Sequence, residues 1–82
     1  MRIDKFLNAV NITKRRTVSQ DMIASKVVLI NDKIVKASKN VEIGDVITVE
    51  YLKGNKRYKV LQIPTAKSTP KSKQDEYVKE IL

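Results

Sequence analysis

Three consecutive cations, Lys14, Arg15 and Arg16, run directly into Thr17-Val18-Ser19-Gln20, a stretch that carries a helix-start signature. Thr17 followed by Gln20 fits the capping box, in which a hydroxyl and an amide satisfy the unpaired N–H groups of a first helical turn. The expected helix begins at Thr17, with the cations at its positive end. Free N–H groups and the helix dipole already favour anions there, so the added positive side chains make a site suited to phosphate oxygens. Arg2, Lys5 and Lys26 are further cations that two packed helices would bring to the same surface. Asp4 is the odd acid of this patch, suited to orienting Arg2 or Lys5 rather than touching an anionic ligand.

Bond-breaking chemistry has little to work with. The chain has no histidine and no cysteine, which removes the commonest general base, the commonest zinc ligand and any thiolate or disulfide. Gly44 and Gly54 are its two glycines, neither in a phosphate-cradling loop, and the carboxylates are scattered over turns and charged faces without an acid/base pair. No catalysis, metal or cofactor is expected. At 82 residues the chain is one domain at most, with a core too small for a large active-site cavity.

Lys plus Arg number 17 against 9 acids, a formal charge of +8, which is the electrostatic footprint of a nucleic-acid binder and exceeds what solubility requires. Aromatic residues are few. Phe6 belongs to a helix core face, and Tyr51 and Tyr58 read as sheet packing, so the expected target is structured RNA recognised through backbone and shape rather than stacked single strands. The N-terminus, charged at Arg2, Asp4 and Lys5, has no long apolar run; neither a signal peptide nor a membrane span is expected, and the chain reads as a cytoplasmic monomer.

The elements that must position these cations follow from periodicity. Ile3, Phe6, Leu7 and Val10 line one face of a first helix over roughly Arg2 to Val10, leaving Arg2, Asp4, Lys5 and Asn8 outside. The capped second helix places Val18, Met22 and Ile23 on an apolar face and ends near Ser25. Val27-Val28-Leu29-Ile30, the turn pair Asn31-Asp32, and Ile34-Val35 predict a hairpin. Val46 to Tyr51 reads as a strand entered through Gly44-Asp45, Lys53-Gly54-Asn55-Lys56 as a turn, and Tyr58 to Ile63 as a return strand stopped by Pro64. The fold class is therefore α+β, two short helices packed on a small antiparallel sheet. Residues 1–63 make the domain; 64–82 are a basic, flexible tail whose last part, with Tyr77, Val78, Ile81 and Leu82 apolar, predicts a short helix.

These residues resemble the S-four RNA-binding domain, or αL motif. Arg2-Ile3-Asp4-Lys5-Phe6-Leu7 is similar to its opening helix, Lys14-Arg15-Arg16-Thr17 to the start of its second helix, and Val28-Leu29-Ile30-Asn31 to its first strand and turn. Ala37-Ser38, Val41 and Gly44-Asp45-Val46-Ile47-Thr48-Val49 extend the match over about the first fifty residues. Ser25 and Asp32 depart from it, standing where the family usually has glycine. The resemblance, closest to the short stand-alone members, implies binding to a free large ribosomal subunit carrying peptidyl-tRNA, with contacts to rRNA and tRNA during rescue of stalled translation. Carried over by position, it implies RNA contacts from Arg2, Lys14, Arg15 and Arg16, supported by Lys5, Thr17 and Gln20. The alternatives are another RNA-binding role, in tRNA binding or ribosome assembly, and a protein adaptor that works through the tail.

Overall fold

A computed structural model describes residues 1–65 and 68–81; Ala66, Lys67 and Leu82 lie outside the described residues, Leu82 being one of the apolar residues expected on a terminal helix. Helix α1 spans Ile3–Ala9 and α2 spans Arg16–Ala24. Strands β1 (Val28–Ile30), β2 (Lys33–Ile34), β3 (Val46–Tyr51) and β4 (Gly54–Val60) follow. A 3-10 turn at Lys71–Lys73 then leads into one turn of helix, α3 (Gln74–Tyr77), and strand β5 (Val78–Ile81). The strands form one sheet in the order β2-β1-β3-β4-β5, with every neighbouring pair antiparallel.

Both helices lie on one face of this sheet. Ile3, Phe6, Leu7 and Val10 of the first helical segment and Ile23 of α2 pack against Val28, Ile30, Ile47, Val49, Tyr58, Val60 and Val78. The period-3.6 stripe of α1 thus meets the period-2 inner residues of the strands. Val18 is the exception to the expected apolar face. It is 41% exposed, and Ser19 is buried in its place, bonded through its hydroxyl to Thr13.

The β1–β2 hairpin turns on Asn31 and Asp32, with φ of 52° and 66°, as a two-residue turn matching strand twist requires. Asn31 also ties the hairpin to β3: its amide donates to Asp45 Oδ1 (3.1 Å) and its carbonyl accepts from Val46 N–H (3.0 Å). Asp45 in turn accepts from Glu42 N–H (2.9 Å). Asp32 therefore takes up the left-handed conformation itself. Ser25 does not need to, with φ −78°, because the left-handed step at the end of α2 falls on Lys26 at φ 63°.

Three boundaries differ from the sequence reading: the return strand expected to reach Ile63 ends at Val60, because beyond it Leu61 and Gln62 N–H donate to Tyr77 O. The β3–β4 turn is Leu52-Lys53, since Tyr51 pairs with Gly54; Gly54, at φ 133°, opens β4 instead of sitting inside the turn. In the C-terminal segment only Gln74–Tyr77 is helical, and Val78–Ile81 adds a strand along β4, burying Val78 against the core. The apolar spacing that suggested a helix there serves a strand because the free edge of β4 supplies its backbone partners. Before it, Thr69 N–H and Oγ1 both donate to Ala9 O (2.9 and 2.8 Å), and Gln74 Nε2 donates to Val10 O (2.7 Å). Carbonyls left open at the end of α1 are thus capped from the far end of the chain.

A lysine in the left-handed region costs more than a glycine there. Lys26→Gly is expected to raise stability by about 0.5–1 kcal/mol, read as a higher urea midpoint at unchanged m-value.

Candidate RNA-binding surface

The centre of the surface is a buried carboxylate. Asp4 lies in the first turn of α1 and is fully buried, where the sequence reading placed it on the outer side of the helix. Its Oδ1 accepts from Lys5 N–H (2.9 Å) and faces Arg2 Nε at 3.4 Å. Its Oδ2 accepts from Arg16 Nε (3.2 Å) and from Gln20 Nε2 (3.1 Å), with the second Arg16 nitrogen also at 3.2 Å. Asp4 therefore orients Arg2 as expected; toward Lys5 it acts only through the backbone.

Burial of a lone carboxylate would raise its pKa. Here that penalty is outweighed by the hydrogen bonds from Gln20, Arg16 and the Lys5 N–H and by the Arg16 charge, and the Asp4 pKa sits below its ordinary value of 3.8. The carboxylate stays ionised and clamps two arginines that remain nearly half exposed, Arg2 at 46% and Arg16 at 42% of their side chains. Guanidinium groups have donors to spare after one carboxylate is bound, so both can still present N–H groups outward.

Helix α2 begins earlier than the capping box implied. Arg15 is its N-cap, Arg16 its first residue, and no side chain caps it. Thr17, expected at the cap, is an exposed residue of the first turn, and the amide of Gln20 is committed to Asp4 instead of to the helix start. The reason is upstream: the Thr13 hydroxyl bonds Arg15 O and Ser19 Oγ, which fixes the chain's approach one turn before Thr17. The first turn of α2 contains no acid, so Asp4 from the other helix is the carboxylate that answers its dipole.

Arg2, Arg16 and Gln20 are thus brought together on Asp4, with Lys5 exposed one residue further along α1. Lys14 and Arg15 are exposed ahead of α2 and, like Lys5, form no ion pair among the described residues. Lys26 is not part of this cluster: at the helical rise of 1.5 Å per residue it lies roughly 15 Å from Arg16 along α2. It borders a shallow groove with Gln20, Ile23, Val35 and Lys36. Lys36 and Lys39 are exposed cations that sequence reasoning did not place; Lys39 O accepts from Ile3 N–H (2.8 Å), and the bridge between Arg2 and Asn40 sets that segment beside the start of α1. No periodicity in the 35–41 region signals this contact, which depends on a backbone pairing. Tyr58, read as sheet packing, is buried in the sheet.

The S4 domain family model matches residues 1–47, the stretch that contains Asp4 and every group bonded to it. The chain belongs to the S4 domain family. Beyond the S4 domain itself, similarity runs nearly end to end. A Helicobacter pylori (strain J99) protein named RQC P-site tRNA stabilizing factor is 46% identical over 78 residues, 95% of this chain and 93% of that protein. A Bacillus subtilis protein of the same name is 32% identical over 74 residues, 90% and 83% of the two chains. The solution structure of the protein HP1423 superposes with a TM-score of 0.87 at 43% identity, covering 100% of this chain and 98% of that one. Heat Shock Protein 15 of Vibrio cholerae, solved as a trimer, gives 0.89 at 27% identity, covering 99% and 81%.

Asp4→Asn keeps the shape of the side chain but removes the charge that holds both arginines. It is expected to cost about 2 kcal/mol at pH 7. Because the folded-state pKa of Asp4 is lowered, its contribution is complete above 3.8 and is lost as pH falls through the folded value. The gap between the urea midpoints of wild type and Asp4→Asn should therefore narrow progressively as pH is lowered below 3.8.

Proposed function

We propose that this protein binds structured RNA of the large ribosomal subunit together with P-site tRNA, and stabilises that tRNA during ribosome-associated quality control. The observation that carries this reading is the 46% identity to an RQC P-site tRNA stabilizing factor across almost the whole of both chains. The S4 domain and the ordered cation cluster at its helical face support it. The role is binding without chemistry of its own, and its place is the bacterial cytoplasm, where ribosomes work.

The mechanism is electrostatic and geometric. Lys5, Lys14 and Arg15, which form no ion pair among the described residues, displace counterions from phosphates. Arg2 and Arg16, held by Asp4, offer guanidinium groups at a fixed separation, which selects a backbone shape rather than any polyanion. Gln20 holds the clamp through its amide bond to Asp4, while Thr17 contributes an exposed hydroxyl at the helix start and Lys26 a distal phosphate contact just past the end of α2. A rigid platform of this kind would steady a tRNA by adding contacts that persist while the nascent chain is extended.

Sucrose-gradient sedimentation of the tagged chain from growing cells tests this reading. Wild type is expected to travel with free large subunits, and a Lys14→Glu, Arg15→Glu double variant, which leaves the Asp4 clamp intact, to remain at the top. In vitro the same variant should flatten the dependence of log affinity on log salt by about two phosphate contacts. Wild type that stays at the top of the gradient would remove the ribosomal assignment.

A further inference from the structure

The sheet face turned away from the helices breaks a rule of strand pairing. Lys59 of β4 and Lys79 of β5 are direct cross-strand partners, so two ammonium side chains stand on the same face with their Cβ atoms about 5 Å apart. Like charges placed this way destabilise a sheet. Neither lysine has an ion pair among the described residues, whereas Lys56, projecting to the opposite face, has Glu80 at 3.8 Å. An uncompensated local conflict of this sort marks a place where something outside the chain completes the structure.

The surroundings indicate what that is. Strand alternation puts Arg57, two residues before Lys59, on the same outer face; among the described residues its ion-pair partner is the exposed Asp32, at 3.7 Å. Three cations on this face of the sheet suit a chain of phosphates. All of these residues except Asp32 lie outside the stretch matched by the S4 domain, on the side of the sheet opposite α1 and α2.

We infer that the outer sheet face, centred on Lys59 and Lys79, is a second phosphate-binding surface that takes an RNA backbone. The inference rests on the RNA-binding reading above and extends it: a body about 26 Å across with an RNA surface on each side can bridge two RNA segments, one on the helices and one on the sheet.

The test is amide chemical-shift mapping of the full ¹⁵N-labelled chain titrated with a short blunt-ended RNA duplex. In the Lys14→Glu, Arg15→Glu background, residual binding is expected to shift the amides of Arg57, Lys59 and Lys79. Adding Lys79→Glu should weaken that residual binding about tenfold and reduce its salt slope by about one. The same change should raise the urea midpoint, because it turns a repulsive cross-strand pair into an attractive one, so loss of binding cannot be blamed on unfolding. No sheet-face shifts in the double variant, or residual affinity unchanged by Lys79→Glu, would overturn the inference. An equal response to a poly-glutamate peptide would overturn the assignment to RNA. Sheet amides that respond in wild type while the Lys5 to Gln20 amides stay silent would leave this surface standing and remove the helical one.

Discussion

A carboxylate with no access to water must be bonded on every side, and Asp4 is bonded by both helices at once. That constraint organises the N-terminal half of the molecule. Satisfying Asp4 requires α2 to approach with its first turn against the first turn of α1, because only there do Arg16 and Gln20 both reach Oδ2. The same requirement draws Arg2 inward from the helix cap. Two arginines that would otherwise be long, mobile surface side chains lose their freedom inside the protein, before any ligand arrives. The entropy of ordering them is thus charged to folding and not to binding.

The arrangement also resolves an electrostatic difficulty. Cations at a helix N-terminus oppose its dipole, and α2 carries Arg15 and Arg16 there with no acid in its own first turn. A carboxylate lent by the neighbouring helix makes the arrangement tolerable, and because it is buried it competes little with an outside anion. Positive potential is left facing solvent while the interior stays neutralised.

Much of this was legible in the sequence. The stripe Ile3, Phe6, Leu7, Val10 located α1, Asn31-Asp32 located the hairpin, and the basic run located the start of α2, because each of these signals depends on near neighbours in the chain. Misreadings arose where distant residues decide. Asp4 looked exposed on its helix because its partners are 12 and 16 residues away. Thr17 and Gln20 matched a capping pattern, but Thr13 had already set the chain's path and Asp4 had claimed the amide. Val78 to Ile81 carried a pattern compatible with helix or strand, and only the open edge of β4 decides between them. The family resemblance named the cations as a group without showing which of them Asp4 clamps.

The strap from Thr69 to Gln74 ties the last carbonyls of α1 to groups 60 and 64 residues downstream. During synthesis those carbonyls must wait until residues 60 and 64 positions downstream have been made, and β4 must wait for β5. Contacts of such high sequence separation are slow to close and form late. The first helix of the RNA platform is therefore finished only once Thr69 and Gln74 have been made, and a chain cut short before Thr69 would carry its arginines on an incomplete scaffold.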